Sequence, residues 1–190
     1  MVRDMTEKVS RDDYFQAAFR LLAQGGKPAL TTTAVCRRLG VTTGSLYHHF
    51  GSGAEFYKAV IDHWENEVTL AQRQRADAVP DPRERLTVLE QAARDADHEA
   101  EKAIRAWAGT DRYVAAAMQR VDQVRHKHLT KSYIDAGFAP ARADTMARIG
   151  FSILVGAQQI GRQVDRGRLN AALDEYATWV YAAVPVYERA

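Results

Sequence analysis

The chain has 190 residues, of which 46% are hydrophobic and 26% charged, with a formal net charge of +2. That supplies enough apolar material for a core, in one large domain or a small domain joined to a larger one, and excludes a collagen-like or disordered chain. The one cysteine, Cys36, has no partner for an internal disulfide. No apolar run approaches the ~18–20 residues needed to span a bilayer. The N-terminal MVRDMTEKVSRDD is charged where a secretory leader would be apolar. The expectation is a soluble cytoplasmic protein with no membrane partner.

In chain order, Ser10 and Asp13 form a Ser-x-x-Asp capping pattern, after which Tyr14, Ala18, Leu21 and Leu22 mark one apolar face. Gly25-Gly26 with Pro28 stops that first helix. A second, short helix is predicted over Thr32–Leu39, with Val35, Cys36 and Leu39 inward and Gly40 suited to the left-handed position after its end. The third begins after Thr42, an N-cap, and turns Leu46 and Phe50 inward at i, i+4. Helix, glycine-containing turn, helix is the helix-turn-helix arrangement.

Beyond Gly53 a longer helix is predicted to run to about Asp77 and to end before Val79-Pro80-Asp81-Pro82. Further helices are expected over 82–96, 99–108 and 111–136, the last closed by Gly137, then from Pro140, and finally over 169–187. No strand pattern is evident. The predicted fold is all-α, about nine helices: a three-helix helix-turn-helix domain over 1–54 and a larger helical domain over 55–190. The last two helices mix large apolar and small residues at spacings of three and four. Phe151, Leu154, Ala157 and Gly161 on one, with Leu173, Tyr176, Trp179 and Val180 on the other, are the candidate homodimer interface.

Charge is unevenly placed. From Tyr14 to Ala54, 41 residues, there is no Asp or Glu, although the chain carries 24 in 190. That average would put roughly five in the window. Arg20, Lys27, Arg37, Arg38, His48 and His49 all fall inside it. A local positive field in a balanced chain is the footprint of a polyanion partner.

The third helix has the side chains such a partner requires. A recognition helix enters a major groove about 12 Å wide, its N-terminal residues against base edges. Thr43, Gly44 and Ser45 are small enough for close approach, and the two hydroxyls can donate or accept. Tyr47 and His48 project outward, where a phenol and an imidazole N–H suit phosphate oxygens.

The segment LTTTAVCRRLGVTTGSLYHHF, Leu30 to Phe50, resembles the N-terminal DNA-binding domain of the TetR (tetracycline-repressor) family of bacterial transcriptional regulators. The matching residues are Leu30-Thr31-Thr32, Val35, Leu39-Gly40-Val41 and Leu46-Tyr47-His48-His49-Phe50, and the likeness covers roughly residues 10–60. It implies base contacts from Thr43, Gly44, Ser45 and His48, and phosphate contacts from Tyr47, His49, Thr42, Thr32 and Thr33. It also implies a palindromic duplex DNA partner, a homodimer, and a small-molecule effector of unknown identity held in the larger half. The helix from Ala54 to Asp77 would couple the two halves. Candidate effector contacts are the aromatic and polarizable Phe56, Trp64, Trp107, Tyr113, Met118, Tyr133 and Phe151, and the polar His63, Gln158 and Gln159.

Two residues depart from the family pattern: Gly53 stands where a phosphate-holding lysine is common, and Gly51 where longer polar residues are frequent. No enzyme motif is present: no glycine-rich phosphate loop, HExxH, paired-cysteine metal set or nucleophile elbow. His126 and His128 would lie about 200° apart on a helix, a poor arrangement for a shared metal. No cofactor or metal is implied. The alternative to a ligand-released repressor is a helix-turn-helix protein without a small-molecule effector, controlled by a protein partner or constitutive.

Overall fold

The computed structural model describes residues 9–183, with side chains described for residues 9–67 and 78–183. Among the described residues the regular structure is entirely helical: α1 (Arg11–Ala29), α2 (Thr32–Leu39), α3 (Thr43–Phe50), α4 (Gly53–Asp77), α5 (Pro82–Asp95), α6 (His98–Ala108), α7 (Arg112–Asp135), α8 (Pro140–Gln159) and α9 (Arg166–Ala183). Residues 184–187 of the expected last helix lie outside the described residues. No described helix is long and apolar enough to cross a membrane.

Local chemistry sets the helix ends. Ser10 Oγ accepts the Asp13 N–H at 3.3 Å while the Asp13 carboxylate accepts the Ser10 N–H at 2.9 Å, a complete capping box. The backbone of α1 leaves helical geometry at Gly25 and Gly26, where the sequence stops the first helix. Thr31, Thr42 and Asp81 cap α2, α3 and α5 with their side-chain oxygens. Gly40 closes α2 at φ +68°. Pro82 and Pro140 open α5 and α8, where a missing N–H costs nothing.

The chain divides into two compact units, the first taking the described chain to Glu65 together with Glu99–Met118. Here α1, α2 and α3 pack around Tyr14, Leu22, Leu30, Val35 and Leu46, each 0–1% exposed. Burying a side chain of this size contributes roughly 1.5–3 kcal/mol. Aromatic contacts extend the core: Phe15 to Phe50 at 5.7 Å and Phe50 to Phe56 at 5.0 Å between centroids. Lys27, at the kinked end of α1, holds its ammonium 4.1 Å from the Tyr57 ring centre and 5.1 Å from that of Trp107.

The second unit takes Asn66–His98 and the chain from Gln119 onward. Its α8 and α9 pack closely because α8 has Gly150 under Tyr176: a Cβ there would meet Tyr176 Cε1 at 2.7 Å. Arg85 pairs with Asp135 at 2.7 Å, and Arg94 joins Glu90 to Asp174. The candidate dimer residues divide between inside and outside. Leu154, Leu173, Tyr176 and Val180 are buried in this unit's own core, whereas Trp179 is 58% exposed, Gly161 is exposed, and Phe151 and Ala157 are half-buried.

Candidate nucleic-acid interface

The exposed face of α3 is built by its caps. Thr42 Oγ1 accepts the Ser45 N–H at 3.3 Å, which leaves the N–H groups of Thr43 and Gly44 at an open helix start. Free N–H groups and the helix dipole favour an anion there. A Cβ at Gly44 would touch only Thr42 Oγ1, at 3.6 Å, so a surface can approach this backbone closely. Thr42, Thr43, Gly44 and His48 are exposed, and Tyr47 is 45% exposed. Leu46 and Phe50 point inward at 0% and 7%.

Two of the expected contact residues are tied down from behind. The Ser45 and Tyr14 hydroxyls share a hydrogen bond of 2.9 Å. The half-buried His49 ring lies 5.2 Å from the Tyr14 ring. Thr32 is half-buried and Thr33 exposed at the start of α2. Arg37 and Arg38 are exposed on its last turn, Arg38 donating to Gln24 Oε1 at 3.5 Å. Cys36 is 3% exposed, and burial pushes its thiol above the ordinary value, as expected for a packing residue.

Arg11 was not singled out by the sequence pattern. Its guanidinium donates to the His49 carbonyl at 2.6 Å and lies 4.3 Å over the Phe50 ring. A cation at the last turn of a helix complements the dipole and occupies a carbonyl that α3 itself cannot satisfy. The 38 residues separating the pair hide it from any local reading.

The two glycines after α3 have different roles. Gly51 adopts φ +81°, a conformation that L side chains rarely adopt, and a Cβ there would collide with the Glu55 carboxylate. Glycine is therefore required at that turn. Gly53 has no such backbone demand; a Cβ would rest 3.4 Å from Thr32 Cγ2. Ser52 Oγ accepts the Glu55 N–H at 3.2 Å and so caps α4.

The sequence profile described as bacterial regulatory proteins, tetR family, matches residues 15–60, the stretch that contains this three-helix array. Residues 15–60 therefore match the DNA-binding domain of the TetR family, and the chain is similar to regulators that carry it. It is 26% identical over 144 residues to the HTH-type transcriptional regulator BetI of Burkholderia ambifaria, covering 74% of each chain. It is 31% identical over 86 residues to the HTH-type transcriptional repressor KstR2 of Mycolicibacterium smegmatis, covering 45% of this chain and 42% of that one. In fold it is similar to a transcriptional regulator from Saccharomonospora viridis crystallised with choline. That likeness has a TM-score of 0.72 at 14% identity, over 88% of this chain and 95% of that one. TetR-family proteins are DNA-binding transcriptional regulators and not enzymes.

The expected effector residues fall into both units. In the first, His63 stacks on Phe15 at 4.2 Å and on Phe19 at 5.9 Å, which makes it part of the core around α1. Trp64 and Met118 are buried at 6% and 5%. Trp107 and Tyr113 line a cleft of about 290 Å³ with Lys27, Tyr57 and Lys58. In the second unit, Gln158 is fully buried and Phe151 half-buried.

Those seven do not line a cavity of about 80 Å³ among α5, α7, α8 and α9 of the second unit, but Tyr133, also expected, does. Its walls are mainly Leu86, Leu129, Leu173 and Val180, with Glu90 and the tyrosines Tyr133, Tyr176 and Tyr181. The Tyr176 hydroxyl donates to the Met146 carbonyl, so the Tyr133 hydroxyl donates to Tyr176 at 3.0 Å. Burial pushes both phenols above their ordinary value, Tyr133 far more. The Glu90 carboxylate is neutralised by Arg94 and accepts the Tyr181 hydroxyl at 3.4 Å. Among the described residues no three metal-ligating side chains gather.

Proposed function

We propose that the chain is a repressor that binds a palindromic operator as a homodimer through α3 and releases it when a small molecule binds the helical remainder. The observation that carries the DNA contact is the outward face of α3: small residues at an open helix start, followed by exposed Tyr47 and His48. On this reading Thr43, Gly44, Ser45 and His48 meet base edges. Thr32, Thr33, Thr42, Tyr47 and His49 meet phosphates. A two-fold dimer sets two such helices about 34–36 Å apart, one turn of DNA. The reader spans 1–54 and the remainder, 55–190, senses and dimerises. The exposed Ile149 on α8, Ile160 just after it and Trp179 on α9, with half-buried Phe151, offer apolar surface for the second copy.

The cavity among α5, α7, α8 and α9, lined by Tyr133, Tyr176 and Tyr181, is the candidate effector site. Choline is the first probe, because the Saccharomonospora viridis neighbour holds it and quaternary ammonium groups favour aromatic surroundings. A ligand releases DNA only if it binds better to the conformation that does not fit the operator. A second reading, a regulator with no small-molecule effector, is favoured by how small the cavity is.

Selection of duplexes from a random pool tests the DNA reading. Wild type should recover a palindrome, and Tyr47→Ala should bind it more weakly; selection of no duplex would end the repressor reading. For the effector, choline should raise the melting temperature and weaken operator binding. Absence of any stabilising compound from a broad metabolite screen would favour the effector-free reading.

A further inference from the structure

Lys27 stands between two clefts of the first unit. The larger, about 500 Å³ and open to solvent, runs from the kinked end of α1 past the start of α2 to α4 and α6. Its walls include buried Leu30, Ala103 and Trp107, half-buried Tyr57 and exposed Ala106. Among the described residues Lys27 is the one charged side chain in those walls. The smaller cleft shares Lys27, Tyr57 and Trp107 and adds Lys58 and Asp111.

The other charges are already matched. Lys58 pairs with Asp62 at 2.7 Å, and Asp111 Oδ1 accepts the N–H groups of Tyr113 and Val114 at 2.8 and 3.2 Å. No carboxylate among the described residues pairs with Lys27. Its ammonium makes one long bond, to the Leu30 carbonyl at 3.4 Å, and otherwise faces the rings of Tyr57 and Trp107. An ammonium has three N–H donors, so donors remain. Burial lowers its pKa against the pull of Asp111, as for a charge short of solvation.

These walls select the chemistry of an occupant. The Tyr57 and Trp107 faces already hold a cation, so a second cation meets like charge and an anion gains the ammonium. Thr110 Oγ1 donates its proton to the Trp107 carbonyl at 3.1 Å, and Thr31 Oγ1 accepts the Ala34 N–H at 3.1 Å, keeping its own proton. One ammonium and one hydroxyl proton match a single carboxylate better than a phosphate dianion. The rest of the wall is aliphatic and aromatic, and the volume falls in the range of small-molecule pockets.

We propose that this cleft binds a small apolar carboxylic acid, with the carboxylate on Lys27 and the hydrocarbon body along Trp107, Ala103 and Ala106. It is a different site from the tyrosine-lined cavity of the second unit, and it takes the opposite charge from choline.

Titration calorimetry of the full-length protein tests this with octanoate, its neutral counterpart octan-1-ol and the cation octyltrimethylammonium. Circular dichroism checks the fold of each variant. Octanoate should bind wild type about ten- to hundredfold more tightly than octanol, the scale of a hydrogen bond to a charged group. Lys27→Met should abolish that preference, and Lys27→Arg should retain it. Ala106→Phe, a change at an exposed position in the cleft wall, should weaken octanoate binding with Lys27 intact. Hexanoate, two methylenes shorter, should bind about tenfold more weakly than octanoate. Equal octanoate binding by Lys27→Met and wild type overturns the proposal, because the acid then lies elsewhere. Preference for the cation overturns it, and so does a lack of binding at millimolar octanoate. No DNA enters the measurement, so its outcome is separate from that of the operator reading.

Discussion

Lys27 places its ammonium against two aromatic faces, 4.1 Å from the centre of the Tyr57 ring and 5.1 Å from that of Trp107. The residue joins the kinked end of α1 to α4 and α6 within the first unit, and its ammonium also donates to the Leu30 carbonyl at 3.4 Å. Burial lowers its pKa, with Asp111 acting in the opposite sense. Lys27→Met keeps the apolar stem and removes the charge. It should cost about 1 kcal/mol in denaturant unfolding, within the range for a partly desolvated cation on an aromatic face. In a double-mutant cycle with Tyr57→Leu the two losses should be less than additive. Fully additive losses would show that the stem, and not the ammonium, makes the contact.

Gly53→Lys tests the departure from the family pattern. The backbone there is not left-handed, and a Cβ would sit at ordinary contact distance from Thr32 Cγ2, so the side chain should be accommodated. One added ammonium–phosphate contact steepens the slope of log affinity against log salt by about 0.9. Operator binding should therefore tighten at low salt, with base preference unchanged. An unaltered slope, measured by titration at several salt concentrations, would place Gly53 away from the backbone of the DNA.

Tyr47→Phe should behave differently from any lysine change. Tyr47 is 45% exposed, and a phenol is a neutral donor, so its loss releases no extra counterion. Affinity should fall about three- to tenfold on the scale of one hydrogen bond. The salt slope and the selected sequence should stay the same. A changed base preference would move Tyr47 from the phosphates to the bases.

Alkaline unfolding should depend on Tyr133. Its phenol is held far above the ordinary value of 10.0 by burial, next to Tyr176. A raised folded-state pKa means that above pH 10 the unfolded chain releases this proton and the folded chain keeps it. The stability contribution is thus complete below pH 10 and is lost as pH rises beyond it. Tyr133→Phe removes that linkage, so its melting temperature should fall less than that of wild type between pH 9 and 11, whatever the variant costs at pH 7. Parallel melting curves across that range would mean that Tyr133 is not the group responsible.

Helix ends were legible because their causes are local. Ser10 with Asp13, Thr42, Gly40, Pro82 and Pro140 each act within four residues of the end they set, and each does so here. What α3 leans on was not legible. Tyr14 lies 31 residues from Ser45, and Arg11 lies 38 from His49; at that separation an apolar period says that Tyr14 is inward but not what its hydroxyl meets. The same limit explains His63, a polar residue on an apolar helix that reads as a ligand contact yet stacks on Phe15. It also explains α9, whose apolar stripe is wide enough to serve the chain's own core through Leu173, Tyr176 and Val180 while leaving Trp179 outside.

Both fastenings of α3 come from one turn of another helix: Tyr14 grips it near its start through Ser45, and Arg11 near its finish through His49. In mechanical terms the recognition helix is a beam pinned near both ends to a single bracket, which adds to the hold of its buried Leu46 and Phe50 against rotation about its long axis. The bracket is itself secured by the Ser10–Asp13 pair. Fraying at the front of α1 would therefore loosen both fastenings at once, and on the proposed reading the lifetime of the DNA complex would report on it.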